Sequence, residues 1–410
     1  MTVSEQVRAA AENAARESYG RLLAILCART RDIALAEDAL ADAFENALRT
    51  WSEDGVPENP AAWLLTAARR KTLDAWRHDR VRDAASQSLA ALADELGEPM
   101  AIGAVADERL RLLFVCAHPA IDPAARAPLM LQSVLGIDVQ RMAGAFLTAP
   151  ATLGQRLVRA KARVRQAGVP FEYPEARELP SRLQDVLDGI YAAYGTGWDD
   201  IDGADGSRRG LTAEAIGLCR ILCGLLPSEP EPLGLLALML FCESRTAARR
   251  GPASEYVPLD LQDTGLWDAA MREEADHALQ AAAGMQRLGA YQMEGAIQSA
   301  HCARRLGAQV PAEALLMLYD GLLALRPSIG ARVSRACALA TARGAAAGLG
   351  ALDAIEATEV ASYQPFWAAR AHLLRGCGRL ADARESAVRA AGLSSSPAVR
   401  AYLRAQDEEP

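Results

Sequence analysis

The sequence predicts an all-α protein, and three observations carry that expectation. Alanine, leucine and arginine dominate, and aromatic residues make up only 5% of the chain. These are strong helix formers, and β-branched residues rarely gather into the alternating runs that strands require. The apolar positions of the clearest segments recur at spacings of four and seven, the period of a helix face. At 410 residues and 51% hydrophobic content the chain can bury the cores of two or three domains.

Taken in order, residues 5–29 and 35–51 read as two helices. The second carries Leu40, Phe44, Leu48 and Trp51 on one stripe and Asp38, Asp42, Glu45 and Arg49 on the opposite face. A polar turn over 52–60 precedes a third helix of about 62–81, with Asn59 as its N-cap and Pro60 in its first turn. Residues 83–107 then form an acidic linker, since no basic residue stands between Arg82 and Arg109. A second helical module follows, with helices ending near Cys116 and spanning 123–135, 138–146 and 150–166. The last two are joined over 147–149, which is helix-turn-helix spacing.

After Gly168-Val-Pro170 a Pro- and Glu-rich stretch opens the C-terminal part. Helical segments there are expected at 181–194, 211–226, 231–243, 268–287, 291–305, 311–325, 331–347, 363–376, 380–392 and 396–405. Paired helices at loose intervals suggest a helical-repeat array. Its clearest unit is Pro365–Leu393, where Ala369, Ala371, Leu374, Gly378, Ala383 and Ala390 follow tetratricopeptide-like spacing. The domains expected are therefore 1–82, 83–107, 108–170 and 171–410.

The net charge of −8 is unevenly placed. Residues 1–170 hold 21 basic and 21 acidic side chains, whereas 171–410 hold 23 and 31, so the deficit belongs to the C-terminal part. All basic residues but Lys71 and Lys161 are arginine, which also fits a GC-rich genome; placement is the more informative signal.

Two basic elements suit nucleic acid. In 150–166, Leu153, Leu157, Ala160 and Val164 fall on a core face, leaving Thr152, Arg156, Arg159 and Arg163 outside. Gln155, Lys161 and Arg165 extend that footprint. A solvated basic helix end, favoured by the helix dipole, has the same composition. In 69–80, Arg69, Arg70 and Arg77 interleave with Trp76 and follow Trp63, and aromatic rings with cations suit a separated DNA strand. Tryptophans anchoring a core beneath surface charges read equally well.

Four segments in register supply more. Ala36-Glu-Asp-Ala-Leu-Ala-Asp-Ala-Phe44, Asn59-Pro-Ala-Ala-Trp-Leu-Leu-Thr-Ala-Ala-Arg69, Thr72-Leu-Asp-Ala-Trp-Arg77 and Ala151-Thr-Leu-Gly-Gln-Arg-Leu-Val-Arg-Ala-Lys161 occur in that order. Together they resemble regions 2 and 4 of sigma-70 family factors of the extracytoplasmic-function group. Phe114-Val-Cys-Ala-His-Pro-Ala-Ile-Asp-Pro123, Phe171-Glu-Tyr-Pro174, Leu236-Ala-Leu-Met-Leu240 and Tyr291-Gln-Met-Glu-Gly-Ala-Ile297 extend the likeness to a subfamily with a tetratricopeptide-like C-terminal extension.

The resemblance implies a transcription initiation factor rather than an enzyme. Its partners would be core RNA polymerase, through the β′ clamp and β flap, and promoter DNA. Asp38, Asp42 and Glu45 would meet the clamp helices, and Trp63, Arg69, Arg70 and Arg77 would capture the −10 element. Thr152, Gln155, Arg156, Arg159, Lys161 and Arg163 would read the −35 element. The extension would control the activity and bind a protein or peptide, and the acidic linker would imitate phosphate along the polymerase's RNA path or simply act as a solvated tether. Arg70 departs from the family's usual asparagine, Leu147 from its usual glycine, and Ala149 from its usual serine-like cap.

Phosphate loops, nucleophile elbows and H-E-x-x-H motifs do not occur, so neither an enzyme nor a cofactor is expected. Asp199, Asp200, Asp202 and Asp205 lack calcium-loop spacing, and His118 and His301 lack further ligands nearby, so no metal is expected. Leader and membrane-spanning patterns are missing too, which makes the cytoplasm the expected location and a membrane partner unexpected. The rival readings are an operator-binding regulator that uses only the helix-turn-helix and, more remotely, a helical enzyme fused to a DNA-binding domain.

Overall fold

A computed structural model describes residues 3–82, 105–143, 146, 148–175, 177–198 and 210–405, with the side chains of 5–15, 18–73 and 108 onward among them. The fold is all-helical, and the described residues contain no strand, only an isolated bridge between Arg250 and Tyr256. The chain divides into two compact units, Met1–Thr196 and Gly197–Pro410. Of the acidic linker expected over 83–107, residues 83–104 lie outside the described residues, as does the aspartate-rich stretch 199–209, whereas 105–107 are helical.

The first unit begins with α1 (Val3–Thr30), α2 (Ile33–Asp54) and α3 (Pro60–Arg82). Asp32 caps α2 by accepting from the backbone N–H groups of Ala34 and Leu35 at 3.0 and 3.2 Å. Asn59 caps α3 as expected, accepting from Ala62 N at 3.0 Å. The buried stripe of α2 differs from the one expected. It runs through Ala36, Ala39, Leu40, Ala43, Ala47 and Trp51, while Leu48 is 46% exposed and Phe44 half-buried. Small residues let α2 approach its neighbours closely, and that geometry outweighs the larger hydrophobicity of Leu48.

The remainder of the unit comprises α4 (Val105–Cys116), α5 (Pro123–Leu135), α6 (Val139–Ala143), α7 (Pro150–Gln166) and α8 (Leu179–Trp198). The helix expected over 138–146 is described only as far as Ala143, since residues 144, 145 and 147 lie outside the described residues. Leu22 to Cys27 of α1 are all buried, the mark of a helix covered on every side. α1 packs against α2, α3, α4 and α5. The crossing with α5 is tight at Gly20, where an added Cβ would lie 1.7 Å from the Val134 carbonyl oxygen. α5 ends in an αL cap at Gly136, with φ +66° and a bond from Gly136 N to Gln132 O, and Ile137 N bonds to Leu131 O.

Residues 171–196, which read as the start of the C-terminal part, pack within this first unit. Tyr173 meets Phe114 edge-on at 6.0 Å, and Asp185 accepts from Arg126 at 2.7 Å. The Gly189 backbone lies against Met130, where a Cβ would sit 2.4 Å from the sulfur.

In the second unit, most helices pack on a neighbour in sequence. Its helices are α9 (Leu211–Leu225), α10 (Pro230–Glu243), α11 (Ala269–Gly284), α12 (Ala290–Arg305), α13 (Ala312–Leu325), α14 (Ile329–Arg343), α15 (Ala345–Asp353), α16 (Ala357–Val360), α17 (Gln364–Gly376), α18 (Leu380–Leu393) and α19 (Pro397–Ala405). α10 is the central element, with every residue from Gly234 to Phe241 buried. The single helix expected over 331–347 is two helices, because Gly344 adopts φ +94° and breaks the hydrogen-bond ladder. Pro365–Leu393 forms the hairpin of α17 and α18, with Ala371, Leu374, Ala383 and Ala390 buried.

Candidate nucleic-acid interface

Two surfaces of the first unit carry the residues of interest. On α2, Asp42, Glu45, Asn46 and Arg49 occupy positions i, i+3, i+4 and i+7, and Trp63, Thr66, Ala67 and Arg70 do the same on α3. The two faces oppose each other and line a groove of about 860 Å³. Asp42, Glu45, Trp63 and Arg70 therefore share one site, and Lys71 closes its end by pairing with Asp42 at 3.0 Å.

Trp63 is half-buried and sets its ring edge-on to the buried Trp51, with centroids 5.6 Å apart and an interplanar angle of 69°. It is thus both a core anchor and a wall of the groove. Asp38 is exposed one turn earlier on α2 and does not line the groove. Arg69 also falls off this face. Burial, with Arg29 nearby, lowers its guanidinium below the ordinary value, and its buried Nε has no acceptor among the described residues. The side chains of Asp74, Trp76 and Arg77 lie outside the described residues.

The second surface is α7. Its buried face is Leu153, Leu157, Ala160 and Val164, as the spacing predicts, and Ala149 gives it no side-chain cap. Thr152, Gln155, Arg159 and Arg163 are exposed and Arg156 is half-exposed. Arg156, Arg159 and Arg163 line a hollow of about 380 Å³ beside Asp122 at the start of α5. Arg159 reaches back to Gln155 O at 3.3 Å and Arg156 to Ala124 O at 3.5 Å, both long bonds that leave most guanidinium donors available.

Lys161 is placed differently from the other basic residues of α7. Its ammonium is 11% exposed and pairs with Glu37 of α2, itself 18% exposed. Ser133 Oγ donates to the same carboxylate at 3.4 Å, and Arg165 pairs with the capping Asp32 at 3.5 Å. The inner edge of α7 is therefore tied to the start of α2, while its outer edge faces solvent.

One exposed residue was not singled out from sequence. Val158 is 67% exposed and stands among Gln155 and Arg159 on the outer face. The Leu153–Leu157–Ala160–Val164 stripe already leaves position 158 outside, so the signal was an apolar residue on a polar face.

His118 and His301 are both perturbed by burial. His118 Nδ1 accepts from Ala120 N at 3.1 Å, and burial followed by the charges of Arg182 and Arg126 lowers its basicity. Burial likewise lowers His301. Among the described residues no cluster of three or more potential metal ligands occurs, and no helix is long and apolar enough to cross a membrane.

Comparison with known proteins adds a family context to this geometry. Residues 15–82 match the family described as Sigma-70 region 2, and residues 182–283 match a family of unknown function (DUF6596). The chain is 35% identical over 382 residues to an uncharacterized protein of Rhizobium meliloti, spanning 92% of this chain and 90% of that one. No solved structure matches the chain.

Proposed function

Starting from a chain that belongs to the family of that Rhizobium meliloti protein and carries a sigma-70 region 2 at its N-terminal end, we propose that it is an initiation factor of the extracytoplasmic-function group. In this reading it binds core RNA polymerase and directs it to promoters with two recognition elements. The observation that carries the proposal is the groove between α2 and α3, where two carboxylates, a tryptophan and two arginines converge in the segment matched by region 2.

Each wall then has a task. Asp38, Asp42 and Glu45 offer carboxylates to the basic side of the β′ clamp helices, and Lys71 releases Asp42 when a stronger partner arrives. Trp63 gives an indole ring for an unstacked base, and Arg70 from the groove, with Arg69 and Arg77 outside it, meets phosphates or base edges of the −10 strand. On α7, Thr152, Gln155, Arg156, Arg159 and Arg163 face a major groove at the −35 element, with the β flap holding this module in place. Lys161 holds α7 through Glu37 instead of touching DNA. The helical C-terminal part, read as a tetratricopeptide-like array, controls this activity by engaging a protein or peptide.

Co-purification with core polymerase tests the proposal directly. The chain should be retained by core, and reversing Asp38, Asp42 and Glu45 to lysine should release it. Specific run-off transcripts should appear only when the chain and core are both present. Binding to duplex operator DNA without core, together with no retention by core, would refute the proposal in favour of an operator-binding regulator.

A further inference from the structure

The second unit contains an open groove of about 1100 Å³ that runs across α12, α13, α14 and α17. Its floor is apolar, formed by Leu315, Tyr319, Val333 and Leu373, all buried. Its rim is cationic, with Arg304, Arg305 and Arg375 beside His301 and His372, and Asp260 is the one carboxylate among the described lining residues. This concentration of positive charge runs against its surroundings, because residues 171–410 hold eight more acidic than basic side chains, 31 against 23. Arg305 is partly engaged within the fold. It donates Nη2 to Gln262 O at 2.9 Å, but its buried Nε has no acceptor among the described residues. A buried donor left without an acceptor costs about 1–3 kcal/mol within the fold, and it is the cationic rim around the apolar floor that favours an anionic partner.

We propose that this groove binds an extended acidic peptide segment of another protein, with apolar side chains on the Leu315–Tyr319–Val333–Leu373 floor and carboxylates against Arg304, Arg305 and Arg375. The proposal rests on the reading of the C-terminal part as a regulatory scaffold and names the chemistry of its partner. The dimensions suit a peptide. Neighbouring helices lie about 8–10 Å apart, so three spacings give roughly 24–30 Å, which about eight or nine extended residues span. A nucleic acid fits less well, since among the described lining residues Tyr319 is the only phenol or indole ring and is itself buried, so they offer no platform for stacked bases.

The experiment uses the full chain and a fluorescein-labelled nonapeptide of glutamates with leucine at every third position, read by anisotropy. The acidic peptide should bind at least tenfold more tightly than the same peptide with glutamine for glutamate. Arg304→Glu and His372→Glu, both at exposed positions, should each weaken it several-fold while leaving the thermal midpoint unchanged. Equal affinity for the two peptides, no measurable binding of the acidic one, indifference to Arg304→Glu, or tighter binding of a nine-nucleotide single strand would each overturn the proposal. Retention by core polymerase, measured on the same Arg304→Glu protein, should be unaltered. A wild-type chain that binds the peptide but not core would sink the initiation-factor reading and leave the groove assignment standing.

Discussion

Replacing Lys161 by methionine separates a structural lysine from a DNA-contacting one. The substitution keeps the length of the side chain and removes its charge, leaving the Glu37 carboxylate 18% exposed with only the long Ser133 hydroxyl bond at 3.4 Å. Removing one member of a buried ion pair costs about 3–5 kcal/mol, and the residual exposure of Glu37 argues for the lower end, about 3 kcal/mol. With a urea slope of about 2 kcal/mol per molar, the unfolding midpoint of the first unit should fall by roughly 1.5 M. Tryptophan fluorescence reports it, because Trp51 and Trp63 pack edge-on inside that unit. Adding Glu37→Leu should recover most of the loss, since replacing both members of a buried pair by apolar side chains is often close to neutral. A phosphate-contacting lysine behaves otherwise. Its removal would lower the slope of log affinity against log salt by about 0.9 and leave the midpoint nearly unchanged. A midpoint shift under about 0.3 M together with a reduced salt slope would refute the structural assignment.

Other perturbations follow from the same geometry. Gly20→Ala forces a Cβ to within 1.7 Å of a backbone oxygen on α5, which cannot move as a side-chain tip can; it should destabilise the first unit by about 3 kcal/mol, the top of the range for overpacking, in the same urea assay. Val158→Asn and Arg156→Ala should each change preference at one base pair of the −35 element, with a loss of about 1–3 kcal/mol for Arg156→Ala, scored across promoter variants. A uniform loss over all variants would mark either residue as a backbone contact. The pH response has a definite sign. The folded His118 is less basic than its unfolded form, whose value is 6.5, so its contribution is present above that pH and is lost as pH falls below 6.5 towards the lower folded value. Protonation also removes the Nδ1 acceptor used by Ala120 N. Urea midpoints at pH 7.5 and 5.5 should differ less for His118→Gln than for wild type, and an equal difference would contradict the assignment.

Much of the candidate site was legible from sequence because it lies within single helices. The core face of α7 follows from the 3.6-residue period, and that same period places Thr152, Gln155, Arg159 and Arg163 outside. Asn59 as a cap and the acidic face of α2 are equally local. Composition misled where packing geometry prevailed. Leu48 looked like a core residue, but the neighbours of α2 approach along its alanines, and Lys161 looked like its arginine neighbours on the same helix. Gly344 stood inside an apparently continuous helical pattern, and only its φ of +94° shows that the chain turns there.

The sequence by itself determined the helical class, the order of the elements and the chemistry displayed on each helix face, because these depend on propensity and period along one segment. Tertiary structure decided which faces meet. It joined α2 to α3 in one groove, tied Lys161 to Glu37 across 124 residues, and brought Glu231 to the N–H groups of Tyr291 and Gln292 at 3.0 and 3.2 Å, where Gly289 leaves α12 without a side-chain cap of its own. Such pairings depend on close-packed contact between segments far apart in the chain, and no local pattern encodes the distance between two faces.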